Sequence, residues 1–166
     1  MGSVYEKCMN LYPHVLFVGL IILCRLYDIS YIFALGYLLD TLVNCGLKLF
    51  FYHTIGPAGN RPIPYHPAHP LHDVFGRKIE FIECANGYGF PSGHAQSVGY
   101  SLAFAHQFLP WRSWHPAWVV AAVLAAAWLV WTRIAFKRHT VTQVLFGLGF
   151  GIAFFRAFHW VVGRSN

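Results

Sequence analysis

Two short stretches, far apart along the chain, carry residue types suited to handling an anion. The first is Gly89-Phe90-Pro91-Ser92-Gly93-His94-Ala95-Gln96. Proline and glycine break what precedes it, Ser92 is a good helix N-cap, and a long apolar segment follows, so His94 falls in the first turn of a helix. The first N–H groups of a helix lack partners within it and bind anions well. Gly93 lets an anion approach the backbone, and a histidine can carry a proton near neutral pH. In isolation the stretch equally suits a capped helix start whose histidine faces water. The second stretch is Arg133, five intervening residues, and His139. With Lys48 and Arg61 these residues supply three cations and two imidazoles. A phosphoryl group in transfer spreads negative charge over its equatorial oxygens, which such cations stabilise. Arginine binds two oxygens at once and lysine acts as a point charge. One histidine can attack phosphorus to form a phosphohistidine while the other protonates the departing oxygen, and no metal or other cofactor is required.

The elements that must position these residues are apolar. Of 166 residues, 57% are hydrophobic and 11% charged, and the apolar residues come in long runs. A helix needs about 20 apolar residues to cross a bilayer, so the expected fold is all-α, a polytopic membrane helix bundle. Five spans are expected: residues 11–27, 31–52, 92–109, 117–134 and 140–162. A single domain is expected over 1–166, its core helices and motifs within 31–162. Residues 53–91, rich in Pro, Gly and His, form a connection long enough to serve as a lid. Asp40, Asn44 and Lys48 share one face of the second span. The first two suit a buried polar stripe that glues helices. The net charge of +6 lies mainly at the ends of apolar segments, with no tail or basic helix to track nucleic acid. Cys8, Cys24, Cys45 and Cys84 lack paired metal spacing and read as core thiols. No cleavable signal is evident at the N-terminus.

Consecutive spans alternate direction. The end of the second, the start of the third, the end of the fourth and the start of the fifth therefore share one membrane face. Those places hold Lys48, Ser92–His94, Arg133 and His139, with Arg61 in the loop on the same face. Hydropathy alone does not require this gathering.

Pro91-Ser92-Gly93-His94, followed by Arg133-x5-His139, resembles the second and third signatures of the type-2 phosphatidic acid phosphatase superfamily, which also holds the vanadium haloperoxidases. Lys48 and Arg61-Pro62 resemble the first signature, with twelve residues between them where the family has six. The resemblance implies that His139 is the nucleophile and His94 the general acid. Lys48, Arg61 and Arg133 would hold the phosphate, assisted by Ser92 and the Gly93 N–H. Many members have an aspartate four residues after the nucleophile; here it is Gln143, whose carbonyl can accept the imidazole N–H and fix the tautomer. The run from His139 to Gly147, and His94-Ala95-Gln96, are similar to the dolichyl diphosphatase branch. That branch implies a polyprenyl diphosphate substrate cut to the monophosphate, in the endoplasmic reticulum membrane and the N-glycosylation pathway, with a lumenal site. Basic residues on the two faces do not decide orientation. Phosphate and its mimic vanadate are the expected ligands.

Two other functions fit less well: a broader lipid phosphate phosphatase acting on phosphatidic acid or a related monoester, and a catalytically silent membrane scaffold. The histidines of Tyr65–His72 lie among prolines that keep the segment extended, which suits a loop better than a metal site. His53, His106, His115 and His159 suit interfacial anchoring or interhelical bonds. Lys137 and Arg138 suit either membrane-edge anchoring or the second phosphate of a diphosphate.

Overall fold

The computed structural model describes residues 18–19, 21–22, 30–62 and 88–163. The expected first span lies almost wholly outside these residues. So do the middle of the expected lid, the Tyr65–His72 segment, Cys8, Cys24 and Cys84.

The described chain is mainly four long helices, α1 (Ser30–Ile55), α2 (Gly93–Phe108), α3 (Pro116–Ala135) and α4 (Val141–Gly163), with 3-10 turns at Gly56–Gly59 and Trp111–Ser113. There is no β-strand among the described residues, only an isolated bridge between Asn60 and Tyr88. The fold is all-α, as expected. Each helix starts where local chemistry dictates. The Ser92 hydroxyl accepts from the Ala95 N–H at 3.4 Å, capping α2. Pro116 opens α3, where its missing N–H costs nothing, and the His115 ring accepts from the Ala117 N–H. At α4 the Thr140 hydroxyl accepts from the Gln143 N–H while Gln143 Oε1 accepts from the Thr140 N–H, at 3.2 and 3.0 Å. This is a reciprocal capping box.

Three helical stretches are long and apolar enough to cross a membrane: Tyr31–Gly59, Pro116–Ala135 and Val141–Val162. Three of the five expected spans are thus matched among the described residues, and the first expected span lies almost wholly outside them. The segment expected to span at 92–109 forms α2, whose 16 residues reach about 24 Å at about 1.5 Å each. That falls short of the roughly 30 Å hydrocarbon core. Ala95, Gln96, Val98, Gly99, Tyr100, Ala103 and Phe104 are all buried, so one face of the helix packs against protein, while Leu102 is exposed on another. Helix α3 is the opposite case, packed lightly and presenting Trp118, Val123, Leu124, Trp128 and Trp131 outward.

The main seam of the bundle joins α2 to α4. Gly147 and Gly151 make it possible: a Cβ at the first would strike the Ser92 carbonyl, and at the second the Gln96 carbonyl. Small residues at four-residue spacing let two backbones approach closely. At the end remote from these caps, Phe33, Tyr100, Phe104 and Phe155 form a fully buried aromatic cluster. Midway along α1, Asp40 and Asn44 are buried and face Gln96 of α2. Asn44 Nδ2 donates to Gln96 Oε1 at 2.8 Å, and Gln96 Nε2 donates to the Asp40 side chain and carbonyl at 2.8 and 2.9 Å. The polar stripe of α1 thus joins helices.

Candidate active site

One end of the bundle gathers residues from three helices and two connections. Lys48 comes from α1, Arg61 from just after the 3-10 turn that ends it, His94 from the first turn of α2, and Arg133 from the last turn of α3. His139 sits in the tight connection between α3 and α4. That connection is wound so that the N–H groups of Arg138 and His139 both donate to the Arg133 carbonyl, at 2.9 and 3.0 Å. Lys137 takes a left-handed φ of 53° to make the turn, a conformation glycine would adopt more cheaply. Burial, and then Arg133, His139, Arg61 and Lys48, hold His94 well below its ordinary value. The charges of Arg61 and Lys48 act on His139. The five residues therefore form one electrostatic unit. Lys48 and Arg133 are buried, Arg61 is half-buried. The Nε atoms of both arginines are buried and find no acceptor among the described residues, though both side chains interact elsewhere.

His139 is held with its protonation pattern fixed. Its Nδ1 lies 3.0 Å from the Gly89 carbonyl and 3.3 Å from Gln143 Oε1. Carbonyl oxygens only accept, so Nδ1 carries the proton and Nε2 carries the lone pair. Burial, and then the Arg61 and Lys48 charges, push the ring down to about 3; the bonds to Gln143 and Gly89 oppose this. The imidazole is neutral at physiological pH, with Nε2 free to act as a base or nucleophile.

This arrangement, two imidazoles among three cations at helix ends, suits an anionic phosphoryl group. Residues 30–166 match the model of the PAP2 superfamily. The chain belongs to the PAP2 superfamily. No curated protein and no solved structure matches it significantly. PAP2 proteins are generally phosphatases, phosphoester hydrolases, and the three apolar helices fit an integral membrane protein. Among the described residues, no group of three or more His, Cys, Asp or Glu is placed to hold a metal.

In this PAP2 chain the remaining expected residues fall as follows. Ser92 is fully buried; its N–H donates to the Gln143 carbonyl at 3.1 Å and its hydroxyl accepts from the Ala95 N–H. Gly93 lies against Asn44, where a Cβ would come within 3.0 Å of Oδ1. Gln143 does more than orient the ring. Besides its capping-box and imidazole contacts, its Nε2 donates to the carbonyls of Gly59 and Asn60 at 3.1 and 2.9 Å. The closer partner of the imidazole is the Gly89 carbonyl, where Gln143 alone was expected.

Three contributors carried no assigned role in the sequence. Gly89 presents the carbonyl that fixes His139, and its N–H donates to the Gly59 carbonyl at 3.0 Å. Tyr88 places its hydroxyl 3.0 and 3.1 Å from the carbonyls of Phe51 and Gly56, clamping the Gly89 segment to the end of α1. Phe51 packs edge-on against Phe90 and Phe146, which meet each other at a tilt, around the same segment. Gln96 is the third. None of these carries a sequence signal for its partner, since every bond spans a long separation. The Thr140-x-x-Gln143 capping box was the one legible sign that Gln143 bonds locally.

Proposed function

We propose that the protein is a membrane lipid phosphatase that removes the terminal phosphate of a polyprenyl diphosphate through a phosphohistidine intermediate. His139 Nε2 attacks the terminal phosphorus, and the bond from that phosphorus to the bridging oxygen breaks. His94 delivers a proton to the bridging oxygen, which leaves as the lipid monophosphate. Water then attacks the phosphohistidine, His94 takes the proton from that water, and the P–N bond breaks to release inorganic phosphate. Lys48, Arg61, Arg133, the Ser92 hydroxyl and the Gly93 N–H neutralise and orient the equatorial oxygens. The observation that carries this proposal is the anchoring of His139 Nδ1 on the Gly89 carbonyl, which leaves a neutral ring with its lone pair on Nε2 beside the cations.

The choice of polyprenyl diphosphate rests on the similarity of residues 139–147 and 94–96 to the dolichyl diphosphatase branch. That similarity also supports an endoplasmic reticulum membrane location and a lumenal site. A single domain carries the activity. The test is phosphate release from polyprenyl diphosphate and from phosphatidic acid in detergent, with and without EDTA. Preference for the diphosphate, insensitivity to the chelator and loss of release in His139→Ala are expected. Faster release from phosphatidic acid would favour a broader lipid phosphate phosphatase. Abolition by EDTA would contradict the metal-free mechanism, and equal inactivity of wild type and variant would leave a scaffold.

A further inference from the structure

We infer that Gln143 is a positioning residue for Arg61 as well as for His139, its amide being read from both sides. The inference rests on the placement of Arg61 in the proposed phosphate site. The orientation of the amide follows from its partners. The Thr140 N–H can only donate, so the atom 3.0 Å from it is the oxygen; the Gly59 and Asn60 carbonyls can only accept, so the atom 3.1 and 2.9 Å from them is the nitrogen. One side of the group thus belongs to the nucleophile's loop. The other holds the two peptide units that immediately precede Arg61.

Those peptide units are held by few other bonds that reach across the chain, the Asn60 N–H donating locally to the Pro57 carbonyl at 3.0 Å. The Gly59 carbonyl also accepts from the Gly89 N–H, and Asn60 bridges to Tyr88. The backbone leading into Arg61 is therefore tied to the segment that also anchors His139. Gln143 is fully inside this clasp, 2% exposed. A carboxylate at position 143 could reproduce the oxygen's role: it accepts from an imidazole N–H and serves well in a capping box. It cannot donate to two carbonyls. Only a primary amide of this length serves both halves, which gives a physical reason for glutamine where the family pattern has aspartate.

The experiment separates the two sides of the amide. Gln143→Glu keeps the oxygen and the chain length and removes the donors. Binding of vanadate, an anion held without turnover, is measured in wild type, Gln143→Glu, Arg61→Ala and the double variant, alongside kcat and KM. Vanadate affinity and KM should each worsen by about tenfold in Gln143→Glu, with a smaller change in kcat. In the Arg61→Ala background the same substitution should cost little more, because the effect passes through Arg61. Wild-type vanadate affinity in Gln143→Glu, or a full additive loss in the double variant, overturns the inference. If Arg61→Ala itself leaves vanadate affinity intact, the assignment of Arg61 to the phosphate site fails, and the inference with it. Should Gln143→Glu not fold, Gln143→Asn, which keeps both groups but draws them back by one methylene, carries the same comparison. Weakened vanadate binding supports the inference, and unchanged binding overturns it.

Discussion

The two ends of this bundle are held together by different physics. At the end remote from the site, Phe33, Tyr100, Phe104 and Phe155 pack ring against ring, with Phe33 and Phe104 centroids 4.9 Å apart and Tyr100 and Phe155 5.7 Å apart. Such contacts are strong in sum but tolerant in direction, since a ring can tilt or slide and still fill the space. At the site end Phe51, Phe90 and Phe146 pack together and Tyr52 meets Tyr88, but these rings lie beside the polar groups and do not aim them. Position there is set by bonds of about 3 Å from Gln143, Gly89 and Tyr88. The Asp40–Asn44–Gln96 network lies between the two regimes and fixes the register of α1 against α2. Aromatic area keeps the helices together, and hydrogen bonds decide which atoms meet.

Variants at the two ends should fail in different ways. The largest effect belongs to His139→Ala, which should abolish phosphate release while the protein still binds detergent and unfolds cooperatively. Retained turnover would break the site assignment. His94→Ala should slow turnover by about two to four orders of magnitude, and less with substrates whose leaving groups need no proton. A leaving-group series would show whether the loss tracks basicity. Phe104→Ala should lower stability by about 3 kcal/mol, within the usual range for a buried phenylalanine, seen as a lower unfolding midpoint in detergent. Its kcat and KM well below that midpoint should match wild type; a changed KM would show that the ends are not separable. Gln96→Leu should do some of both. It leaves Asp40 and Asn44 buried without their partner and frees α1 to slip, costing about tenfold in kcat/KM together with a lower midpoint.

The smallest effect is expected in the pH profile. Because His139 is pushed down to about 3, kcat/KM, corrected for substrate ionisation, should show no His139 limb between pH 7 and about 4. An imidazole at its ordinary value of about 6.5 would lose tenfold per unit below that point. The sign for stability follows from linkage. The unfolded ring takes a proton below about 6.5 that the folded ring refuses until about 3, so His139 contributes stability that falls as pH drops across that window. A midpoint that rises on acidification over the same range would contradict the burial of a neutral ring.

Much of this was legible in the residues. Long apolar runs fixed the helical class, because lipid leaves the backbone few other ways to satisfy itself. Ser92 marked the start of α2 within a residue, since capping is local chemistry. Alternation of direction was enough to bring Lys48, His94, Arg133 and His139 to one end. At 92–109 the apolar run gave a helix of 16 residues, shorter than the other apolar helices, because its ends are set by the Ser92 cap and Pro110. Nothing in the sequence tied His139 to Gly89, Gln143 to Gly59 and Asn60, or Gln96 to Asp40. A peptide carbonyl is the same in every residue, and an amide side chain does not announce which of many carbonyls it will meet. Composition and spacing settled which chemical groups the chain possesses and at which end they gather. Only the folded backbone, drawn close at Gly147 and Gly151, decided which nitrogen of His139 keeps its proton, because that choice depends on a carbonyl fifty residues away standing 3.0 Å from it.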